Sequence, residues 1–269
     1  MNSWMRSELI SIAPMYIEWL ELYPVVTDLL GIDPARDSVA SYVLRNLLLQ
    51  SRMTLRLEHI GRVAVVVGAG PSLSSSLPRL ADCLSTRVPI VAADGATRAV
   101  VELGLAPKAI ASDLDGDVDA ILEACRRGST LFLHAHGDNI ERVLELYPEL
   151  SRACREIVGT TQVPNPPYPL INLGGFTDGD RACLAAYLLG ARRIVLLGMD
   201  LSSSYIGKYS KGLEMRVTYR KAVKLWVARR ILERLGRRAE LVEVGAKCLT
   251  SSRGVSVEKA RTMVLNWLR

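Results

Sequence analysis

The sequence predicts an α/β protein: a doubly wound, mostly parallel sheet with helices on both faces, plus an N-terminal helical segment. The first observation is a series of short apolar runs, most of them separated by helical patterns, at residues 63–67, 90–93, 109–112, 130–133, 170–172 and 194–197. Strands and helices that alternate in this way form parallel sheets covered on both faces. The second observation is composition, because the chain has only two Phe and its apolar residues are mainly aliphatic.

The chain divides at about residue 60. Residues 1–60 show apolar stripes at helical spacing, and Asp33-Pro34 is a helix-start signal, so we expect a helical segment there. Residues 61–269 are expected to form the α/β domain. Its last elements are predicted to be a helix at about 214–235, a strand near 241–244 and a helix from 256. Residues 202–213 are expected to form a loop.

Charge and cysteine content narrow the function classes. The formal net charge is +6, and nine Lys or Arg fall between residues 216 and 238. This stretch suits an anionic substrate such as a nucleotide; the alternative is a solvated basic helix face. Aromatic interleaving there is sparse, so nucleic acid is not expected as a partner.

Five cysteines without a CxxC pair predict neither a disulfide framework nor a zinc site. We expect Cys83, Cys125 and Cys183 to pack as small apolar groups, in a reduced, cytoplasmic protein. No apolar run approaches the length of a membrane span, so no membrane partner is expected.

Acidic, glycine-flanked turns follow several of the apolar runs. Asp94 ends one run, and Asp113, Asp115 and Asp117 follow the next. Ligands of doubly wound sheets bind beyond the carboxyl ends of the strands, and clustered carboxylates there suit Mg²⁺ with a phosphate-bearing substrate. Asp113 and Asp115 are the candidate ligands, whereas Asp117 is expected in the first turn of the next helix. The glycine at position 116 does not fit a calcium loop.

A glycine turn follows the first run. Gly68, Gly70, Pro71 and Ser72 form a tight turn whose N–H groups could hold a phosphate, although a purely structural turn is the alternative. The motif lacks the third glycine of a dinucleotide fingerprint and the Lys of a phosphate-binding P-loop.

Two further polar segments complete the candidate site. His134 and His136 are expected to contact phosphate or a polar substrate, and Asp138 or Asn139 either joins them or caps the next helix. In the second segment Thr177 is a candidate helix cap. Asp178 or Asp180 could bind a heterocycle or the metal.

These motifs together resemble one enzyme family. The motifs are Gly68-Ala69-Gly70-Pro71-Ser72-Leu73, Ala93-Asp94-Gly95-Ala96, Ser112-Asp113-Leu114-Asp115-Gly116, His134-Ala135-His136-Gly137-Asp138-Asn139, Gly174-Gly175-Phe176-Thr177-Asp178-Gly179-Asp180-Arg181 and Gly198-Met199-Asp200. In this order, across about residues 60–235, they are similar to the archaeal 6-hydroxymethyl-7,8-dihydropterin pyrophosphokinases. That family is related to thiamine pyrophosphokinase, from whose pattern Ser112 departs by replacing a glycine. Motility-associated glycosyltransferases carry a related domain, so both classes stand as alternatives.

The resemblance implies transfer of diphosphate from ATP to the hydroxymethyl group of a dihydropterin, with release of AMP, in tetrahydromethanopterin or folate-type cofactor synthesis. ATP and a pterin alcohol are then the expected partners, and a homo-oligomer remains open. The expected catalytic residues are Asp94, Asp113, Asp115 and Arg181, with Mg²⁺ on Asp113 and Asp115. The expected ATP or phosphate contacts are Gly68, Gly70, Pro71, Ser72, His134, His136, Lys208 and Lys211. The expected pterin contacts are Asp138, Asn139, Thr177, Asp178 and Asp180.

Overall fold

The computed structural model describes residues 3–53, 55, 57–84 and 88–267. Its strands are β1 (Val63–Val67), β2 (Ile90–Ala93), β3 (Ala109–Ser112), β4 (Thr130–Ala135), β5 (Glu156–Thr161), β6 (Arg193–Leu197), β7 (Tyr205–Ile206), β8 (Met215–Arg216), β9 (Glu240–Val244) and β10 (Ser252–Val255). Its helices are α1 (Ser3–Leu30), α2 (Pro34–Gln50), α3 (Leu73–Ser76), α4 (Ala81–Leu84), α5 (Ala96–Glu102), α6 (Val118–Arg126), α7 (Ile140–Ala153), α8 (Asp178–Leu188), α9 (Lys208–Lys211), α10 (Tyr219–Leu235) and α11 (Val257–Trp267).

Eight of these strands form one parallel sheet, in the order β10-β9-β6-β1-β2-β3-β4-β5. Val66 of β1 pairs with Val91 of β2 on one side and with Leu196 of β6 on the other. Chain order reverses between β1 and β6. That reversal creates the crevice in which doubly wound sheets bind ligands.

Helices cover both faces of the sheet because successive strand residues point to opposite sides. Ala64 and Val66 of β1 pack into a cluster with α1, α8 and α10, whereas Val63, Val65 and Val67 pack with α3, α5 and α11. The predicted doubly wound α/β architecture is therefore confirmed.

The described structure corrects several predicted elements. Residues 170–172 form no strand, and Ile171 makes only an isolated bridge to Thr160 of β5. The prolines at 164, 166, 167 and 169 remove N–H donors that a ladder needs. The strand beside β4 at this edge of the sheet is instead β5, which is not an apolar run because its end at 159–161 is polar. Helix α10 begins at Tyr219, because residues 215–216 pair with β7 in a two-stranded ribbon. Strand β7 of that ribbon and helix α9 occupy part of the predicted loop at 202–213.

The prediction for the cysteines was wrong for Cys125. Cys125 and Cys154 form a disulfide, with their Cα atoms 4.4 Å apart. Helices α6 and α7 pack side by side and bring the two residues together. A separation of 29 residues in sequence carries no such information. Cys83 and Cys183 are buried free thiols, as expected.

The N-terminal helices pack onto the sheet. Met15, Trp19 and Val26 of α1 are buried against α8 and α10, and Leu44 and Leu48 of α2 are buried beside β5 and α7.

Contrary to the expectation from sequence, α1 is long and apolar enough to pass as a membrane span by length and composition. Its buried residues belong to the core, and one such helix near an N-terminus is weak evidence of a membrane span.

Asp37 ties α2 to the rest of the molecule. Its buried carboxylate accepts hydrogen bonds from Tyr23 Oη at 2.9 Å, Gln162 Nε2 at 2.6 Å and the Gly137 N–H at 2.8 Å. These donors come from α1, the segment after β5 and the turn after β4. One carboxylate therefore joins both N-terminal helices to the sheet.

We expect Asp37→Ala to lower the free energy of unfolding by about 3 kcal/mol, because three buried donors lose their acceptor. Urea unfolding followed by circular dichroism measures this. Glu145→Ala, which removes an exposed carboxylate from the middle of α7, should change the value by less than about 0.5 kcal/mol. Equal stability of the two variants would show that the Asp37 contacts contribute little.

Candidate functional site

A cavity of about 230 Å³ opens at the carboxyl ends of β1, β2, β3 and β6, at the point where strand order reverses. We call it the main cavity. Four strand-end turns line it, together with the start of α8, the ribbon-and-α9 segment, and one side of α10. Its apolar lining includes Met199, Leu201, Ile206 and Leu225.

Four carboxylates converge in the main cavity. Asp94 follows β2, Asp113 and Asp115 follow β3, and Asp178 is the first residue of α8. Each offers an oxygen that lies within 4.8 Å of the others'. Hard oxygen donors at this spacing fit Mg²⁺, which usually takes one or two carboxylates and completes its shell with phosphate and water. We call these residues the carboxylate cluster.

The turn after β3 holds Asp94 in position. Ser112 Oγ donates to Asp94 Oδ1 and accepts from the Leu114 N–H at 2.8 Å. A Cβ atom on Gly116 would lie 2.2 Å from Asp94 Oδ2, so only glycine fits beside this carboxylate. Asp94 and Leu114 also adopt positive φ angles of 36° and 69°, a strained conformation typical of functional turns.

The carboxylate cluster is electrostatically uneven. Burial, followed by the charge of Asp113, raises the pKa of Asp94 to about 7. Burial, followed by the charges of Asp113 and Asp94, raises the pKa of Asp178 well above its ordinary value. Asp113 is also buried, which by itself would raise its pKa, but the hydrogen bond and charge of His136 and the charge of Arg181 lower it. Asp113 is therefore the anion beside which Asp94 and Asp178 hold protons or need a cation.

His136 acts on the carboxylate cluster through Asp113. Its Nε2 lies 3.2 Å from Asp113 Oδ2, and its Nδ1 lies 3.3 Å from the backbone nitrogen of Asp138. The sequence predicts a phosphate contact for His136. The structure places it behind a carboxylate instead.

Positive side chains face the cluster from α8 and α10. Arg181 is buried, with Nη1 3.4 Å from Asp178 Oδ1 and Nη2 donating to Gln162 Oε1 at 3.3 Å. Lys221 and Lys224 of α10 also line the main cavity. Burial lowers the pKa of the Lys224 ammonium, and the charge of Asp113 opposes this shift. The sequence predicted that the basic stretch at 216–238 suits an anionic substrate, but it did not show which of the basic residues face the site.

The glycine turn lines the main cavity, but most of its N–H groups already have acceptors. The Gly68 N–H donates to Leu197 O at 2.8 Å and the Gly70 N–H to Gly198 O at 2.7 Å. Ser72 donates from both N–H and Oγ to the carboxylate of Asp200. An internal carboxylate therefore occupies the anion position expected for phosphate at Ser72, because β6 lies beside β1 and brings Asp200 there. Sequence reasoning assigned no role to Asp200.

Three other predicted contacts are buried away from the main cavity. His134 packs against Thr160, with 3.1 Å between Nδ1 and Oγ1. Asn139 Nδ2 donates to the carbonyl oxygens of Asp113 and His134, which braces the turn after β4. Asp180 Oδ1 accepts from the N–H groups of Phe176 and Thr177 at the start of α8. Burial raises the pKa of Asp180 to about 6, although Arg181 opposes the shift.

The remaining predicted residues are divided among different places. Pro71, Thr177 and Asp178 line the main cavity. Asp138 lines a smaller adjoining cavity of about 160 Å³, which we call the second cavity. Lys208 lies in a separate surface pocket beside Arg98, with its ammonium 4.9 Å from the Tyr209 ring centroid. The side chain of Lys211 is outside the described part of the chain.

A solved structure shares the fold. The MAf glycosyltransferase from Magnetospirillum magneticum AMB-1 superposes with a TM-score of 0.55 at 17% identity. The similarity covers 89% of this chain and 42% of that one. At this identity the likeness concerns the fold alone.

Sequence comparisons identify the family. Residues 44–205 match the family model described as 6-hydroxymethylpterin diphosphokinase MptE-like. The 6-hydroxymethyl-7,8-dihydropterin pyrophosphokinase of Methanocaldococcus jannaschii is 39% identical over 72% of this chain and 83% of its own length. The protein of the same name from Pyrococcus furiosus is 36% identical over 84% of this chain and 97% of its own. With the doubly wound sheet and the carboxylate cluster at its crevice, these matches confirm the resemblance: the chain belongs to the MptE-like 6-hydroxymethylpterin diphosphokinase family.

Proposed function

We propose that this protein transfers a diphosphate group from ATP to the hydroxymethyl oxygen of 6-hydroxymethyl-7,8-dihydropterin, with Mg²⁺ as the metal. The names of the curated relatives support the reaction and the acceptor. The observation that carries the proposal in the structure is the carboxylate cluster at the sheet crevice. The reaction releases AMP and the pterin diphosphate. We place it in tetrahydromethanopterin or folate-type cofactor synthesis in the cytoplasm.

The lining of the main cavity supports a nucleotide donor. Apolar side chains on the β6 turn and on α10 can cover an adenine ring, whereas the carboxylate cluster lies at the other strand ends. Nucleotides in doubly wound sheets bind at this crevice. The phosphate chain would then extend toward Asp113 and Arg181.

The reaction needs little covalent chemistry from the protein. The acceptor oxygen attacks the β-phosphorus, the bond from that phosphorus to the α–β bridging oxygen breaks, and AMP leaves with the bridging oxygen. The proton of the acceptor hydroxyl is released to solvent. Bound Mg²⁺ supplies charge neutralisation along the phosphate chain. Arg181 and Lys224 add positive charge beside Asp113, and the rigid strand-end turns provide the positioning.

Purified protein with Mg²⁺ and ATP should form AMP and pterin diphosphate only when the pterin is present, as measured by chromatography of nucleotides and pterins. Thiamine is the parallel acceptor and a nucleotide sugar the parallel donor. Diphosphate transfer to thiamine alone would favour the thiamine pyrophosphokinase alternative. Turnover of a nucleotide sugar without ATP use would favour the glycosyltransferase.

Asp113→Asn and Asp115→Asn should each lower the rate of AMP formation at least about 100-fold, because each removes a charged ligand from the proposed metal site. Asp117→Asn is the matched control. Asp117 Oδ1 accepts from the Ala120 N–H at the start of α6, and Asn can make the same cap. Wild-type rates in both cluster variants would mean that the metal binds elsewhere.

The metal-free protein should lose stability as the pH rises from about 4 to 7. An Asp in the unfolded chain has a pKa of about 3.9, so in this window folded Asp94 retains a proton that the unfolded chain has released. The free energy of unfolding then falls by at most about 1.4 kcal/mol per pH unit for that proton. Asp178 acts in the same direction.

Denaturant unfolding with a chelator present, at a series of pH values, measures this slope. Asp94→Asn should make it shallower, and added Mg²⁺ should raise the stability most at the higher pH values. Identical slopes for wild type and Asp94→Asn would contradict the assignment.

A further inference from the structure

The second cavity adjoins the main cavity and shares four residues with it: Asp113, Phe176, Arg181 and Lys224. Its other walls come from the α1–α2 turn, the turn after β4, and the first turn of α10. The α1–α2 turn (residues 31–33) and the start of α2 precede the residues matched by the family model, and α10 follows them. Half of the residues that line this cavity therefore lie outside the matched region.

The fold holds these walls together through specific contacts. Asp37 accepts from the Gly137 N–H at 2.8 Å, which fixes α2 against the turn after β4. A Cβ on Gly137 would lie 2.7 Å from the Cβ of Arg36, so glycine allows this close approach. Arg220 Nη1 donates to Leu30 O at 2.8 Å and joins α10 to the end of α1.

The polar groups of the second cavity fall into two sets. On its floor, Asp37 and Gln162 are buried and hydrogen-bonded to one another. At its rim, Arg36 and Asp138 are exposed, and neither side chain has a hydrogen-bond or ion-pair partner among the described residues. A free guanidinium and a free carboxylate thus face one polar cavity.

The two cavities differ in their relation to the carboxylate cluster. Asp94, Asp115 and Asp178 line the main cavity and not the second, whereas Asp113 lies at the boundary. A metal-bound phosphate chain therefore belongs in the main cavity. In-line transfer requires the acceptor oxygen to approach phosphorus from the side opposite the leaving group. The second cavity offers an approach across the shared residues.

We propose that the second cavity is the acceptor site and binds a neutral, planar heterocycle carrying both hydrogen-bond donors and acceptors. The ring lies against Phe176, with its hydroxymethyl group toward Asp113. Asp138 accepts from adjacent ring N–H and amino donors, a pair that matches a carboxylate's two oxygens. Arg36 donates to a ring carbonyl or nitrogen. This inference rests on the proposed function, because it assigns the acceptor side of the same reaction.

The test compares Arg36→Ala and Asp138→Asn with the controls Arg152→Ala and Asp119→Asn, which change exposed charges on α7 and α6 away from both cavities. Steady-state rates give separate KM values for the pterin and for ATP, and pterin fluorescence gives binding without turnover. We expect the KM and Kd for the pterin to rise about tenfold or more in each site variant, as for one lost hydrogen bond to a charged group. The KM for ATP should stay within about twofold, and both controls should match wild type.

An unchanged pterin KM and Kd in both site variants would overturn the inference, as would a rise confined to the KM for ATP. Arg36→Lys, which keeps the charge but not the planar fork, should fall between wild type and Arg36→Ala. Circular dichroism of each variant separates a binding defect from a folding defect. If wild type binds pterin without forming its diphosphate, the proposed function fails, while the fluorescence comparison still decides the location of the acceptor site.

Discussion

Repulsion among four carboxylates at one edge of the sheet is the constraint on which the rest of the site depends. Asp94, Asp113, Asp115 and Asp178 present oxygens within 4.8 Å of one another, partly out of water. Like charges at that distance are stable only if some are protonated or a cation lies between them. The raised pKa values of Asp94 and Asp178 correspond to the first solution, and the proposed Mg²⁺ with substrate phosphate would supply the second.

The scaffold maintains this arrangement through strained turns and internal acceptors. Asp94, Leu114 and Asp200 all have positive φ angles, and each follows a strand that ends at the main cavity. Such conformations persist only where surrounding contacts determine them. Ser112 braces Asp94, and Ser72 is bound by Asp200. The polar residues behind the cluster therefore hold its strand-end turns in position. For this reason several residues expected to contact substrate are buried instead.

The N-terminal helices also help to hold the carboxylate cluster in place. They pack over the sheet and, through Asp37, fix the turn after β4 that carries His136. His136 Nε2 in turn lies within hydrogen-bond distance of Asp113. Contacts thus run from α2 through the turn after β4 to Asp113 of the carboxylate cluster, and Asp37, Gly137 and His136 line the second cavity. The fold shared with the glycosyltransferase supplies the crevice, whereas these contacts shape the second cavity, for which we propose the acceptor.

The local sequence determined the parallel sheet, the acidic turns and the family. Aliphatic runs of strand length specify buried parallel strands, and Asp-Gly turns directly after them must lie at the carboxyl edge. The sequence did not predict strand β5, because the polar end of that strand breaks the apolar pattern. Only the tertiary structure decided that Asp178 joins Asp94, Asp113 and Asp115, whereas Asp180, two residues later, turns inward to cap α8. It also decided that Lys224 lines the main cavity, that Arg36 lines the second, and that Cys125 meets Cys154. Pattern and spacing fix which face of an element a residue occupies, but distances between faces depend on how the helices pack over the sheet.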